Sequence, residues 1–295
     1  MLKPLIRRLR MQPLVNRPLT SALRLACRPF GPTPEWICQH LPRVGLVHAK
    51  LPNQRQMVLN SSGDDFVSTR VYWRGWQGYE GETAIWFWKY AETARVVLDI
   101  GAHVGYFAVL AGHANPESRV YAFEPMATPF ARLQRHVILN GLTNVTPVPS
   151  AVGRTSGEAT IYSSGDNSVA EPDASCSWEN TRGRPHLQEL QVPITSVDDM
   201  VAAYKLPTVD LVKIDTETTE PDVLAGMRAT VARHHPTIVL EVKEDSDLPP
   251  LRQFVADFGY RMYVLTGGGP SPRTELTPDP AWRNYLLTTK PLPPS

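Results

Sequence analysis

The sequence predicts a doubly wound α/β fold: a mostly parallel sheet, helices on both faces, and an antiparallel pair of strands at one edge. Three observations carry this. Short apolar runs of strand length alternate with helical stretches from residue 96 onward. Glycines and prolines fall where those elements should stop or start. The last two apolar runs are joined by a Gly/Pro-rich segment, Thr266 to Pro280, too short to hold a crossover helix.

The elements follow in order. Val96 to Ile100 is an apolar run suited to a buried parallel strand. Tyr106 to His113 reads as a helix, Arg119 to Phe123 as the second strand, and Thr128 to Asn140 as a helix stopped by Gly141. Val145 to Pro149 is a third strand and Ala159 to Tyr162 an accessory one. Val209 to Ile214 is the fourth main strand, with a helix near Pro221 to Arg228 whose first turn tolerates Pro221. Thr237 to Val242 is the fifth strand. Leu248 to Phe258 is a helix stopped by Gly259, and Arg261 to Leu265 and Tyr285 to Thr289 are the late pair. Connections in such sheets are right-handed, and ligands bind beyond the carboxyl ends of the strands at the switch point.

Upstream the pattern is different. Eight prolines from Pro4 to Pro52 leave no long amphipathic period in residues 1 to about 60. This segment reads as an irregular extension, and the boundary is placed at residues 1–65 for the extension and 66–291 for the α/β domain. Glu82 to Tyr90 is expected as a helix. The aromatic concentration around it, Trp76 and Tyr79 included, is expected to cover one end of the sheet.

Composition excludes several classes. Apolar residues make up 42% and charged residues 20%, the balance of a soluble globular chain. A net charge of +1 argues against nucleic acid as the partner, since binders of that kind carry a basic excess. Cys27, Cys38 and Cys176 are odd in number and far apart, so neither a disulfide framework nor a zinc site is expected, and a reducing, cytoplasmic setting is the default. No apolar run reaches membrane-spanning length. The first 34 residues hold seven basic side chains and no acid before Glu35. Arg24 and Arg28 interrupt the only candidate secretory signal. A solvated tail, an organelle-targeting segment, or a basic arm on an anionic membrane with Leu2, Leu5, Ile6 and Leu9 on one face all stay open.

The chemistry concentrates at strand ends. Asp99-Ile-Gly101-Ala-His103-Val-Gly105-Tyr106 runs from strand through a glycine turn into a helix. Gly101 and Gly105 can take positive φ and let a ligand approach the backbone. A dinucleotide site would show GxGxxG; here His103 stands at the second glycine, and Asp99 would repel a pyrophosphate. Asp99 suits a cationic or hydrogen-bond-donating ligand, such as the amino-acid end of S-adenosylmethionine. Glu124, 25 residues on and followed by Pro125, is placed to accept two ribose hydroxyls. Ser150 and Ala151 after the third strand are small enough for a purine to lie against the backbone. Asp215, Glu217 and Glu220 crowd three carboxylates at the fourth strand's end. Lys213, substrate hydroxyls or a divalent cation could balance them, and a carboxylate of raised pKa could act as a general base. Glu220 is expected to cap the following helix, leaving Asp215 and Glu217 for function. Glu241, ending the fifth strand, points to the same rim. No dedicated metal site is expected.

These residues together resemble the FkbM-type methyltransferases. The matching blocks are Gly78-Tyr79-Glu80, Asp-Ile-Gly-Ala-His-Val-Gly-Tyr from Asp99, Phe123-Glu124-Pro125, Asn140-Gly141-Leu142 with Asn144-Val145, and Lys213-Ile-Asp215-Thr-Glu217. Asn167-Ser168 and the stretch from Val192-Pro193 to Asp198-Asp199 look like two more. The resemblance covers about residues 78 to 290. It implies a Rossmann-like, seven-stranded class I methyltransferase fold with S-adenosylmethionine as donor. It also implies methyl transfer to a hydroxyl of a small metabolite, sugar or polyketide-like acceptor. The implied cofactor-binding set is Glu80, Asp99, Gly101, His103, Gly105, Tyr106, Glu124, Pro125, Ser150, Ala151 and Asp215, with Asp215 and Glu217 as the catalytic pair. The family pattern continues with a glycine after the glutamate; here Thr218 stands in its place. That departure, with the basic arm, motivates a rival reading as a catalytically idle binding or membrane-associated module. A nicotinamide-dependent oxidoreductase is disfavoured by the missing GxGxxG.

Overall fold

The computed structural model describes residues 10–27, 29, 31, 33–163 and 188–293. The expected polar flap Gly165 to Pro185, Asn167-Ser168, Cys176 and the leucine face of residues 2–9 lie outside the described residues.

The main sheet is built first from the expected strands: β3 (Val96–Ile100), β4 (Arg119–Phe123), β5 (Val145–Val148), β9 (Leu211–Ile214), β10 (Thr237–Glu241), β11 (Arg261–Thr266) and β13 (Asn284–Thr288). Their spatial order is β5-β4-β3-β9-β10-β13-β11. The strands from β5 to β10 pair in parallel, and β13 runs antiparallel to both β10 and β11. The order reverses between β3 and β9, with β4 and β5 on one side and β9 and β10 on the other, which creates the switch point at the carboxyl ends of β3 and β9.

Alternation along each strand splits the core into two layers. On β3, Val97 faces one layer while Val96, Leu98 and Ile100 face the other. The first layer is closed by α4 (Gly81–Ala91), α5 (Tyr106–Ala114) and Leu133 of α6 (Ala127–Leu139). The second is closed by α7 (Val197–Ala203), α8 (Glu220–Ala225), α9 (Arg228–His234) and α10 (Leu248–Phe258). Strands covered on both faces read as continuous apolar runs, which is why they were legible. The expected stops hold: Gly141 and Gly259 take φ of 61° and 64° just past α6 and α10.

Three expectations need correction. Residues 13–62 are not irregular. They form α1 (Pro13–Cys27), α2 (Glu35–His40) and the hairpin β1 (Val44–Lys50) with β2 (Gln56–Ser62). Pro18 sits inside α1 because its ring lies on the exposed side, and only one backbone hydrogen bond is forfeited. Met57 and Leu59 are fully buried in the first core layer. The Gly/Pro-rich connection also contains a strand, β12 (Gly269–Arg273), paired with β11 at the sheet edge. Prolines are tolerated there because an edge strand leaves half its N–H groups unpaired. Finally, the helix near Pro221 to Arg228 is two short helices, α8 and α9.

Two further elements matter for the site. A small sheet of β6 (Ala151–Val152), β7 (Gly157–Ser163) and β8 (Gln188–Thr195) follows β5. The helix α3 (Phe66–Arg74), capped by Asp65 accepting from the Ser68 amide at 3.1 Å, brings Trp76 and Tyr79 toward the start of α5.

Candidate active site

The turn after β3 is shaped by the neighbouring chain. Gly101 has φ 79°, and a Cβ there would sit 1.8 Å from the carbonyl oxygen of Asp215. Gly105 has φ 83°, and its Cβ would meet Leu133 of α6 at 2.3 Å. Both glycines were read as making room for a ligand; the close approach each one permits is to the protein itself, between β3 and β9 and between α5 and α6. His103 also lies in the left-handed region, at φ 50°.

Glu124 ends β4 and is buried. Its Oε1 accepts from the Met126 amide at 2.8 Å and its Oε2 from the His103 amide at 2.9 Å. One carboxylate thus ties the second strand tip to the first loop. Each oxygen keeps a second lone pair for a further donor. Burial pushes Glu124 up to about 7, against the pull of those two amides. Asp99 is 1% exposed, and its Oδ2 has no hydrogen-bond partner among the described residues. Burial raises it to about 6, with the Lys213 ammonium and the Ala108 amide resisting.

Tyr106 starts α5, and its hydroxyl donates to the Trp76 carbonyl while its ring packs edge-on to Tyr79 at 5.5 Å. The aromatic segment is therefore fastened to the loop that begins at Asp99. Glu80 caps α4 in a left-handed conformation, φ 43°, and accepts from Asn284 Nδ2 of β13 at 3.2 Å. Burial raises its carboxyl, partly offset by Lys213, and Asp215 adds to the rise. Pro125 leads into Met126, which packs against Ala151 in the small sheet. Ser150 Oγ donates to the carbonyls of Ala151 and Pro193, at 2.8 and 3.1 Å, so its hydroxyl braces that turn. Of the predicted residues, Glu80, Asp99 and Asp215 share one electrostatic cluster, while Ser150 and Ala151 belong to the start of the small sheet.

The acidic rim is the electrostatic centre. Lys213 Nζ lies 2.8 Å from Asp215 Oδ2 and 4.5 Å from the centre of the Phe107 ring. Burial would discharge this lysine, but Asp215, Glu80 and Asp99 hold it protonated well above its ordinary range. Burial would likewise raise Asp215; Lys213, a hydrogen bond from Glu241 and Lys243 overcome it and keep the carboxyl ionised far below its usual value. Glu217 behaves differently. Burial lifts it to about 7, with Lys243 opposing and Asp215 adding to the rise. Glu241 is lifted to about 10 by burial and then by Asp215. Lys243 pairs with Glu217 and lies 2.9 Å from Glu241. Oxygens of Asp215, Glu217 and Glu241 fall within 4.8 Å of one another, and their charge is met by two ammonium groups.

The turn holding Glu217 is strained. Glu217 and Thr218 have φ of 58° and 86°. For a β-branched residue this is an outlier. Glu220 holds the turn: its Oε1 accepts from the amides of Thr216 and Thr218 at 2.9 and 3.3 Å. The capping role expected of Glu220 is thus directed at the turn before α8.

Lys243 and Asn284 were missed. Lys243 had a signal, since it stands two residues after Glu241 and period-two spacing puts both on one side of an extended chain. Asn284 lies 204 residues from Glu80, and nothing local marks it.

The strand order, with its reversed last pair, is that of the class I S-adenosylmethionine-dependent methyltransferases. The family model described as the methyltransferase FkbM domain matches residues 99–262, more than half of the chain, and the chain belongs to that family. Among curated proteins it is 26% identical over 187 residues to the 31-O-demethyl-FK506 methyltransferase FkbM of Streptomyces tacrolimicus, covering 55% of this chain and 64% of that protein. It is 27% identical over 148 residues to the 2-O-methyltransferase NoeI of Sinorhizobium fredii, covering 47% and 59%. The chain therefore spans under two thirds of the length of these relatives. A solved methyltransferase FkbM from Methylobacillus flagellatus aligns with a TM-score of 0.44 at 16% identity, over 66% of this chain and 44% of that one.

Proposed function

We propose that this protein is an S-adenosylmethionine-dependent O-methyltransferase acting on a hydroxyl of a small metabolite, sugar or polyketide-like acceptor. The observation that carries the reading is the pair of buried carboxylates at adjacent strand tips. Among the described residues, Asp99 keeps an unpartnered oxygen, and Glu124 keeps a free lone pair on each oxygen while holding the loop between them. A buried acceptor without a donor is costly. Asp99 suits the cofactor's ammonium end, and Glu124 its ribose hydroxyls. Glu80, the His103 and Tyr106 turn, Pro125, Ser150 and Ala151 complete the proposed cofactor surface. Two relatives named for O-linked methyl chemistry support the acceptor class.

S-adenosylmethionine, when bound, supplies a methyl group already activated by its sulfonium. The protein's part is alignment, exclusion of water, and handling of the acceptor's proton. Asp215 and Glu217 divide that work. Asp215, kept ionised by Lys213, is a weak base and a strong acceptor, so it orients the hydroxyl. Glu217, lifted to about 7, is the better proton acceptor at neutral pH. Lys243 between Glu217 and Glu241 fixes its position.

Isothermal titration with S-adenosylmethionine tests the core claim. Binding is expected, weakened about tenfold or more by Glu124→Ala through loss of its charge-assisted hydrogen bonds. Absence of binding at millimolar cofactor would remove the reading. Thr218 at φ 86° favours one rival, an idle relative. Cofactor binding without turnover across a broad panel of hydroxylated compounds would favour it.

A further inference from the structure

Helix α1 carries an apolar face outward as well as inward. Inward, Leu23 and Cys27 pack on the first core layer beside two buried polar side chains. Asn16 is fully buried, donating to the carbonyls of Arg10 and Pro42 and accepting from the Val44 amide at 2.8 Å. Thr20 is buried too, and its hydroxyl accepts from Arg43 at 2.7 Å. The outward face is apolar. At about 100° per residue, Leu14, Val15, Pro18, Leu19, Ala22 and Leu25 fall within an arc of about 140°. Leu14 is 91% and Leu25 69% exposed. Six of the nine large apolar side chains exposed among the described residues (Leu14, Val15, Leu19, Leu25, Trp36 and Leu46) lie before residue 47.

An apolar stripe of this kind marks a contact surface. The charge beside it indicates what it contacts. Arg17 and Arg24, seven residues apart, lie within about 20° of each other on one flank of the stripe. No acid occurs before Glu35. Arg24 makes a cation–π contact with Tyr72 at 4.8 Å and lines a cavity of about 890 Å³ beside the helix with Ser21, Leu25 and Trp73. Apolar residues on one face with arginines at its border are the arrangement of helices that lie in the plane of an anionic bilayer. No helix among the described residues is long and apolar enough to cross one.

We propose that α1 docks this protein on anionic phospholipid membranes, its leucines entering the acyl boundary while Arg17 and Arg24 meet lipid phosphates. The buried Asn16 seam and the packing of Arg17 against Gly45 make α1 part of the folded body, unlike a removable leader.

Co-sedimentation of the full chain with phosphatidylcholine vesicles, with and without phosphatidylglycerol, is the test. Binding should be about tenfold or more tighter to the phosphatidylglycerol vesicles and should weaken with salt. Leu14→Asp with Leu25→Asp should cut binding about tenfold or more with the melting temperature unchanged, both side chains being exposed. Arg17→Gln with Arg24→Gln should weaken the preference for anionic lipid several-fold, the other basic side chains of residues 1–34 remaining. Failure to sediment with anionic vesicles would overturn the proposal, as would equal binding by the leucine variant. A concentration-dependent dimer broken by the leucine variant would assign the stripe to a second copy instead. Recovery from cells of a chain lacking residues 1–27 would make it a targeting leader.

Discussion

Single backbone angles decide much of this site. Thr218 occupies a left-handed conformation that favours glycine, and such strain costs about 1–3 kcal/mol. Thr218→Gly should therefore raise stability by roughly 1–2 kcal/mol, read as an increase in melting temperature, despite the added unfolded-state entropy of glycine. Gly101 is the opposite case. Gly101→Ala puts a Cβ on the Asp215 carbonyl and should cost about 3 kcal/mol or more, since backbone must move. At Glu217, folding lifts the carboxyl to about 7, so the proposed base is ionised only above that pH. Turnover should rise with pH through about 7, and Glu217→Gln should lower it about 100-fold or more and flatten the rise. Glu124 gives a stability counterpart. Its folded pKa of about 7 exceeds its ordinary 4.5, so the folded state binds the extra proton between those values. Stability from this group is fully present below about 4.5 and is lost as pH rises through about 7. Comparing melting curves across that window, Glu124→Gln should show a shallower decline than the parent chain.

Between elements, α6 does more than close the core. His136 donates from Nδ1 to the Val104 carbonyl at 2.7 Å, within the turn after β3, and accepts at Nε2 from the Asn60 amide of β2 at 2.9 Å. Asn140 brackets the same edge, accepting from the Val58 amide and donating to its carbonyl at 2.8 and 2.7 Å. Two helix side chains thus serve the free edge of β2 as a further strand would, and one of them braces the candidate cofactor turn. Asn140→Ala should cost about 1–2 kcal/mol by leaving half-buried backbone groups unpaired. His136→Leu should weaken S-adenosylmethionine binding although it touches no proposed cofactor residue. Titration calorimetry on the folded variant reads this directly, and unchanged affinity would uncouple the hairpin from the site.

Across the whole molecule, the N-terminal segments and the sheet share one core layer. Val47, Met57 and Leu59 are fully buried in the same cluster as Val97 and Leu110. Deleting residues 1–65 should therefore lower the melting temperature sharply or prevent folding, although the family model begins at residue 99. The doubly wound core was legible because its strands are buried on both faces and its helices are punctuated by glycine and proline. Asp99, Glu124, Asp215 and Glu217 were legible because strand tips next to turns are where this architecture presents side chains. The hairpin was not legible, because Met57, Val58 and Leu59 form an apolar run of only three residues without period-two alternation, among proline breakers. Nor was α1, which is apolar outward and buries Asn16 and Thr20 inward.

The sequence by itself determined the sheet, its order of use, and which carboxylates stand at its rim, since each depends on local spacing and period. Tertiary structure decided what those groups are. Asp215 is held ionised by Lys213, Glu217 is lifted toward neutrality beside Lys243, and Gly101 exists for the Asp215 carbonyl. Burial and charge pairing depend on neighbours from distant strands, and no local pattern encodes the distance between them.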